Sequence, residues 1–226
     1  MTRAQDRRAS AWLKLIAGVV VVGPALVGAG CAGRRPPLVD FSEAVTPHEA
    51  RDYDGVRDTW TRHVKLVRDI GTVLEVWATY KSADFRQAYV QQYGELYGLS
   101  PDERVQLRGA QLEAARTSYD FHVVAQSTDW KWNELEQKDS VWKITLIDGA
   151  GHELSPSQVT FEKLPELYLM RFFPTRTDFC RIYTVRFARE ATSKFLGAAT
   201  GRLTFRVAGP VGAAELTWES AQGRKD

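Results

Sequence analysis

The chain has 226 residues, 44% hydrophobic and 26% charged, and its 30 Lys+Arg against 28 Asp+Glu give a formal net charge of +2. That composition excludes a disordered chain, a collagenous repeat and a polytopic membrane protein, and it lacks the clearly basic surface that nucleic-acid binding demands. Two cysteines are too few for a disulfide scaffold or a four-thiolate zinc site.

Residues 1–30 differ from everything that follows. Arg3, Arg7, Arg8 and Lys14 stand against Asp6 alone, and no charged residue lies between Leu15 and Gly30. A basic stretch, a short apolar core and a small-residue end predict a secretory signal peptide over residues 1–30. The alternative is an uncleaved anchor. Spanning a bilayer takes about 20 apolar residues, and this run is shorter and contains Pro24.

The segment Val27-Gly28-Ala29-Gly30-Cys31 resembles the lipobox of bacterial lipoproteins, with Gly28 where that family usually carries Leu. The resemblance implies cleavage between Gly30 and Cys31, lipidation of the Cys31 thiol and acylation of the new amine. Ala32 follows, where family members kept at the inner membrane commonly carry Asp, so the outer membrane, facing the periplasm, is the expected address. The lipid bilayer is then a partner through acylated Cys31. One acyl chain holds a protein only reversibly, whereas two or three make attachment effectively permanent. Loss of residues 1–30 turns the formal charge from +2 to −1, because it removes four basic residues and one acidic residue.

Residues 31–45 read as a lipidated tether with a stiff Pro36-Pro37 step, and residues 46–226 as one domain. Thr46-Pro47-His48-Glu49 has the form of a capping box with Pro at the first helical position, so a short helix is expected to open there. Trp60–Val67 and Val73–Tyr80 read as strands joined by a turn at Arg68-Asp69-Ile70-Gly71. In the second, Leu74, Val76, Ala78 and Tyr80 share one face.

From Ala83 the period changes. Phe85, Ala88, Tyr89, Tyr93 and Leu96 recur at helical spacing, with Ser82 as N-cap and Gly98 as the glycine stop. Ser100-Pro101-Asp102-Glu103 is a further capping box, opening a helix to about Thr117. The pair predicts an αα-hairpin over about 83–117.

Period two then returns. Tyr119, Phe121, Val123 and Ala125 alternate with Asp120, His122, Val124 and Gln126, and Trp142, Ile144 and Leu146 alternate with Lys143, Thr145 and Ile147. Strands are further expected at Gln158–Glu162, Tyr168–Phe172, Cys180–Phe187, Arg202–Val207 and Ala213–Trp218. The fold class is therefore α+β, an antiparallel β-sandwich with the αα-hairpin inserted, and the strand spacing is compatible with an immunoglobulin-like sandwich. Around Ala78-Thr79-Tyr80, Phe85-Arg86-Gln87-Ala88-Tyr89 and the loop Ser127–Ser140, this domain resembles uncharacterised envelope lipoproteins of GC-rich Gram-negative bacteria. That resemblance implies no activity.

The chain carries no nucleophile elbow, P-loop, dinucleotide fingerprint, HExxH or calcium loop. His48, His63, His122 and His152 have no ligand spacing, so neither a metal nor a cofactor is expected. His122 alternates with the apolar residues of its strand and is expected to face solvent or cover an edge, and Cys180 is expected to be buried and inert. Trp130 and Trp132, two apart in a polar loop, are the candidate contacts for a ligand or partner, because indole has a large apolar face and a polar edge. With Tyr80, Tyr89, Tyr93 and Tyr97 they are expected to form one aromatic, helix-bearing end. The leading expectation is a non-enzymatic interaction or structural module with an envelope protein partner. The alternative is a binder of a lipid, glycan or small molecule, and an envelope hydrolase comes third.

Overall fold

The computed structural model describes residues 35–42, 48–129, 132–173, 180–189, 195–197, 199–221 and 223. In chain order these form a 3-10 turn (Ala50–Asp52), α1 (Tyr53–Trp60), β1 (Thr61–Arg68), β2 (Gly71–Tyr80), α2 (Ala83–Leu96), α3 (Pro101–Thr117), β3 (Ser118–Ser127), β4 (Lys143–Asp148), β5 (Glu153–Leu154), β6 (Gln158–Phe161), α4 (Glu166–Phe172), β7 (Arg181–Ala188), β8 (Arg202–Gly209) and β9 (Gly212–Glu219). The strands make two antiparallel sheets, β1-β2-β3-β7-β6 and β5-β4-β8-β9.

Alternation decides what each strand buries. Leu74, Val76, Ala78 and Tyr80 of β2, and Tyr119, Phe121, Val123 and Ala125 of β3, all point into one core shared with the second sheet. The Phe121 ring stands 5.0 Å from Phe205 of β8 and 5.6 Å from Trp218 of β9, so one aromatic side chain bridges the two sheets. Turns follow residue chemistry. Asp69 closes the β1–β2 hairpin at φ 55°, a conformation that Asp tolerates better than most residues. Asp148 accepts the amides of Ala150 and His152 at 2.8 Å, closing the turn before β5.

The caps on α2 and α3 form as their sequences predict. Ser82 accepts the Phe85 amide, while Ser100 accepts the Glu103 amide and Glu103 returns to the Ser100 amide at 2.8 Å. Gly98 adopts φ +63°, which terminates α2 without the strain that a Cβ would add.

Four expectations change. Tyr168–Phe172 is helical, not a strand: Pro165 accepts the Leu169 amide at 3.1 Å, and Leu169 and Phe172 turn inward one after the other around α4. The first helical turn opens after Glu49, not Thr46; a capping box between Glu49 and Asp52 starts it, and residues 43–47 lie outside the described residues. Trp60 ends α1 instead of opening β1, and its ring is 2% exposed.

Finally, the packed domain begins inside the segment expected to be a tether. Val39 and Phe41 belong to the core, and the Val39 amide donates to the Glu219 carbonyl at 2.9 Å.

One side chain fastens that segment. The Arg62 guanidinium, 6% exposed, donates to the carbonyls of Pro37, Thr59, Thr61 and Thr217 at 2.8–2.9 Å and lies over the Trp218 ring. Arg62→Met keeps the stem but removes those donors, taking from four part-buried carbonyls the partner that ties them together. Urea unfolding is expected to show a loss of about 2–4 kcal/mol. An unchanged midpoint would remove Arg62 from this role.

Candidate functional site

The link between β2 and α2 presents its side chains to two opposite places. Tyr80 turns inward with the β2 core residues, Lys81 turns to the outer face of the five-stranded sheet, and Ser82 turns back as the α2 cap. The Lys81 amide donates to the Asp120 carbonyl at 2.9 Å, which pins this link to β3.

On the inner side lies a cavity of about 130 Å³. Phe41, Trp60, Tyr80, Leu112, Ala115 and Leu196 supply apolar wall, and Asp40, Ser42, Ser82, Arg116 and Arg189 add polar atoms. Trp60 and Tyr80 meet edge to face at 5.5 Å, and Phe41 packs on Trp60 at 6.2 Å. Burial pushes the Tyr80 hydroxyl far above its ordinary range, so the phenol stays neutral. Arg189 donates to the Ala115 carbonyl at 3.1 Å and lies over the Tyr119 ring. An apolar cavity of about 150 Å³ admits benzene, so this one has room for one small ring or a short alkyl stub.

Trp60 links the cavity wall to a second feature. Its indole N–H donates to Asp84 at 3.3 Å, and the other Asp84 oxygen meets His48 Nε2 at 2.6 Å. His48 lines an open, polar cleft with Arg51, Gln91, Glu95 and Arg104. A histidine oriented by an acid is half of a nucleophilic apparatus. No serine, threonine or cysteine is among the residues lining that cleft.

The outer face of the sheet is ordered in rows by strand register. Lys81, Asp120, Arg186 and Gln158 form one row, and Thr79, His122, Thr184 and Thr160 the next. Beyond them, Trp77, Val124 and Ile182 form an apolar row that Leu169 of α4 covers together with Leu164 and Cys180. Asp120 is 3% exposed and accepts from Arg86 of α2 at 2.8 Å and from Arg186 at 3.0 Å. Burial would raise its carboxyl, but the hydrogen bonds from Arg186 and Arg86 outweigh that and hold it below the usual carboxylate range. Lys81 is partly exposed; burial, aided by the Arg86 charge, pushes its ammonium down to about 8.

His122 is the correction on this face. It is 2% exposed rather than solvated, because Phe173, just after α4, stacks on its ring at 3.7 Å. Strand alternation gives the side of the sheet on which a residue lies, but not what covers that side. Burial pushes the imidazole well below its ordinary value, and the Lys81 charge acts in the same direction.

The other sequence candidates are not brought together. Cys31, Gly30 and Trp130 lie outside the described residues. Trp132 is 38% exposed, and its carbonyl accepts the Trp142 indole N–H at 2.7 Å. Its loop leaves β3 beside Val73, the Thr128 amide donating there at 3.3 Å, so it sits at the end of the sheet opposite Tyr80. The ten residues of β3, roughly 30 Å of extended chain, separate Trp132 from the tyrosine-bearing helices. His152 pairs with Asp148 at 2.7 Å in an exposed turn. Cys180 is partly buried beside Trp77. Among the described residues, no group of three or more His, Cys, Asp or Glu is placed to hold a metal.

Sequence reasoning missed Lys81, His122 and the cavity. The signal available was the contrast between Tyr80-Lys81-Ser82 and the apolar β2 before it.

The buried imidazole sets a sign for pH dependence. Because His122 binds its proton more weakly folded than unfolded, the unfolded chain holds more protons as pH falls below about 6.5. Stability contributed by the neutral ring is therefore lost on acidification. His122→Phe is expected to flatten the stability profile between pH 7.5 and 5 relative to wild type, by up to about 1.4 kcal/mol per pH unit. Urea unfolding at both pH values measures this, and parallel profiles would contradict it.

No family model and no curated protein matches the chain. Among solved structures, it is similar to a crystal structure of a protein of unknown function from Burkholderia pseudomallei, with 11% identity and a TM-score of 0.36 over 78% of this chain and 92% of that one.

Proposed function

We propose that the chain is an exported lipoprotein, fixed through acylated Cys31 to the periplasmic side of the outer membrane, whose domain binds a small amphiphilic ligand without chemical turnover. The aromatic-walled cavity at the Tyr80 end is the observation that carries this reading. Pockets for small molecules are mostly apolar with a few placed polar groups, and here Phe41, Trp60 and Tyr80 supply the first while Arg116 and Arg189 supply the second. Chain reach adds support. Five residues lie between Cys31 and Pro37, whose carbonyl Arg62 holds, and the six extended steps from one to the other span at most about 20 Å. A lipid on Cys31 would hold Pro37 within that reach of the bilayer.

A second reading, docking of an envelope protein, is favoured by the outer surface of α4. There Leu167 is 81% and Met170 64% exposed, large apolar residues of the kind that mark contact surfaces when they cluster. In-cell crosslinking followed by mass spectrometry addresses that reading.

We read the two sheets as a sandwich and α2–α3 as an αα-hairpin inserted between β2 and β3. The strand order resembles a nine-stranded immunoglobulin variable domain with one departure: β3 lies between β2 and β7 rather than between β4 and β8.

Two measurements test the function. Metabolic labelling with a radioactive fatty acid is expected to mark the wild type and not Cys31→Ser; equal labelling ends the lipoprotein reading. Titration of the full chain in detergent with benzoate and benzyl alcohol, followed by methyl NMR at Leu112 and Leu196, is expected to give saturable shifts. Ala115→Leu, which fills the cavity, is expected to weaken them at least about tenfold. Shifts that never saturate with either probe would end the ligand reading.

A further inference from the structure

We infer that the polar rows on the outer face of the five-stranded sheet form an oxyanion-binding site, in which Lys81 and His122 receive the phosphate or carboxylate head of a small molecule. This site lies on the opposite side of the β2–α2 link from the cavity and does not depend on it.

Charge is unbalanced along the Lys81 row. Arg86 and Arg186 both donate to Asp120; Arg186 also reaches the Gln158 side chain at 3.4 Å, and Arg86 is completed by the carbonyl of Lys81 and the side chain of Gln111. Lys81, in the same row, makes no ion pair within 4.0 Å among the described residues; Glu162 acts on it only from farther away. Three cations thus share one buried carboxylate. A partly buried cation without a counter-charge is costly, and an entering anion is the group that relieves it.

An orphan polar atom lies in the adjacent row. His122 is buried, yet its Nε2 has no hydrogen-bond partner. Buried polar atoms in native structures are nearly always satisfied, so one left open beside an unpaired ammonium marks a position where a polar group belongs. Register places the two in one site: Lys81 lies opposite Asp120 and His122 opposite Thr79, so they sit diagonally in adjacent rows of the same face, and the Lys81 charge lowers the proton affinity of His122.

Register supplies the remaining wall. Thr79 and Thr184 flank His122 on the neighbouring strands, and Arg186, whose side chain is 45% exposed, opens the row to solvent. Strands about 4.8 Å apart put these donors within a patch the size of a small oxyanion and its first contacts. The cationic surplus rules the same patch out as a metal site.

The test uses the full chain in detergent, titrated with inorganic phosphate and with sodium acetate against sodium chloride at matched ionic strength. Long-range proton–nitrogen NMR follows His122 Nε2, and thermal melting follows stability. At least one anion is expected to shift the Nε2 signal saturably and raise Tm. Phosphate alone points to a tetrahedral head, acetate alone to a carboxylate. Lys81→Met is expected to bind at least tenfold more weakly and Lys81→Arg to retain binding. If neither anion gives a saturable Nε2 shift in the wild type, or if Lys81→Met binds as tightly as wild type, the site is refuted.

Discussion

Asp120 is a carboxylate with almost no access to water, and such a charge persists only if it is paired and hydrogen-bonded. Its two partners come from different elements: Arg86 from the first turn of α2 and Arg186 from the neighbouring strand β7. One buried anion therefore fastens a helix to a sheet and fixes how β3 and β7 face it. Once both guanidinium groups are committed there, Lys81 is left without a counter-charge in the same row. The arrangement that closes this end of the domain also creates its unbalanced charge.

The strand carrying Asp120 is buried on both faces, and the two faces differ in kind. Inward, Phe121 packs against Phe205 and Trp218 and joins the sheets. Outward, Phe173 and α4 press on His122, Val124 and Ile182. A strand with one solvated face would have let His122 titrate freely. Covering it makes the ring neutral and leaves its Nε2 without water, so packing and electrostatics at this position have a common cause. The β2–α2 link repeats the division, with Tyr80 on the core side and Lys81 on the polar side.

Legibility in the sequence tracked how local the governing interaction is. Ser82, Gly98 and the Ser100–Glu103 box specify the ends of α2 and α3 through contacts within four residues, and those ends appear where the sequence places them. The two faces of β2 and β3 follow from alternation alone. Tyr168–Phe172 was not legible as a helix because its aromatic and apolar residues suit a strand equally well; packing of Leu169 against Val124 and Ile182, and of Phe172 into the main core, decided it. Arg62 gave no signal at all, since its partners are carbonyls of Pro37, Thr59, Thr61 and Thr217, which any residue could supply. Of the candidate site, the aromatic residues at Tyr80 could be read, whereas their separation from Trp132 by the length of β3 could not.

By itself, then, the sequence determines the helix caps, the hairpin turn at Asp69, the alternating faces of the strands and the uncharged apolar run from Leu15 to Gly30, because each rests on neighbours along the chain. The tertiary structure decides what those faces meet: that His122 lies under Phe173, that Lys81 stands beside a carboxylate already taken by two arginines, and that Phe41, Trp60 and Tyr80 enclose a cavity. These depend on residues far apart in sequence being brought together by burial of the core. The physical reason is that alternation encodes direction, while burial, charge balance and enclosed volume are properties of the packed whole.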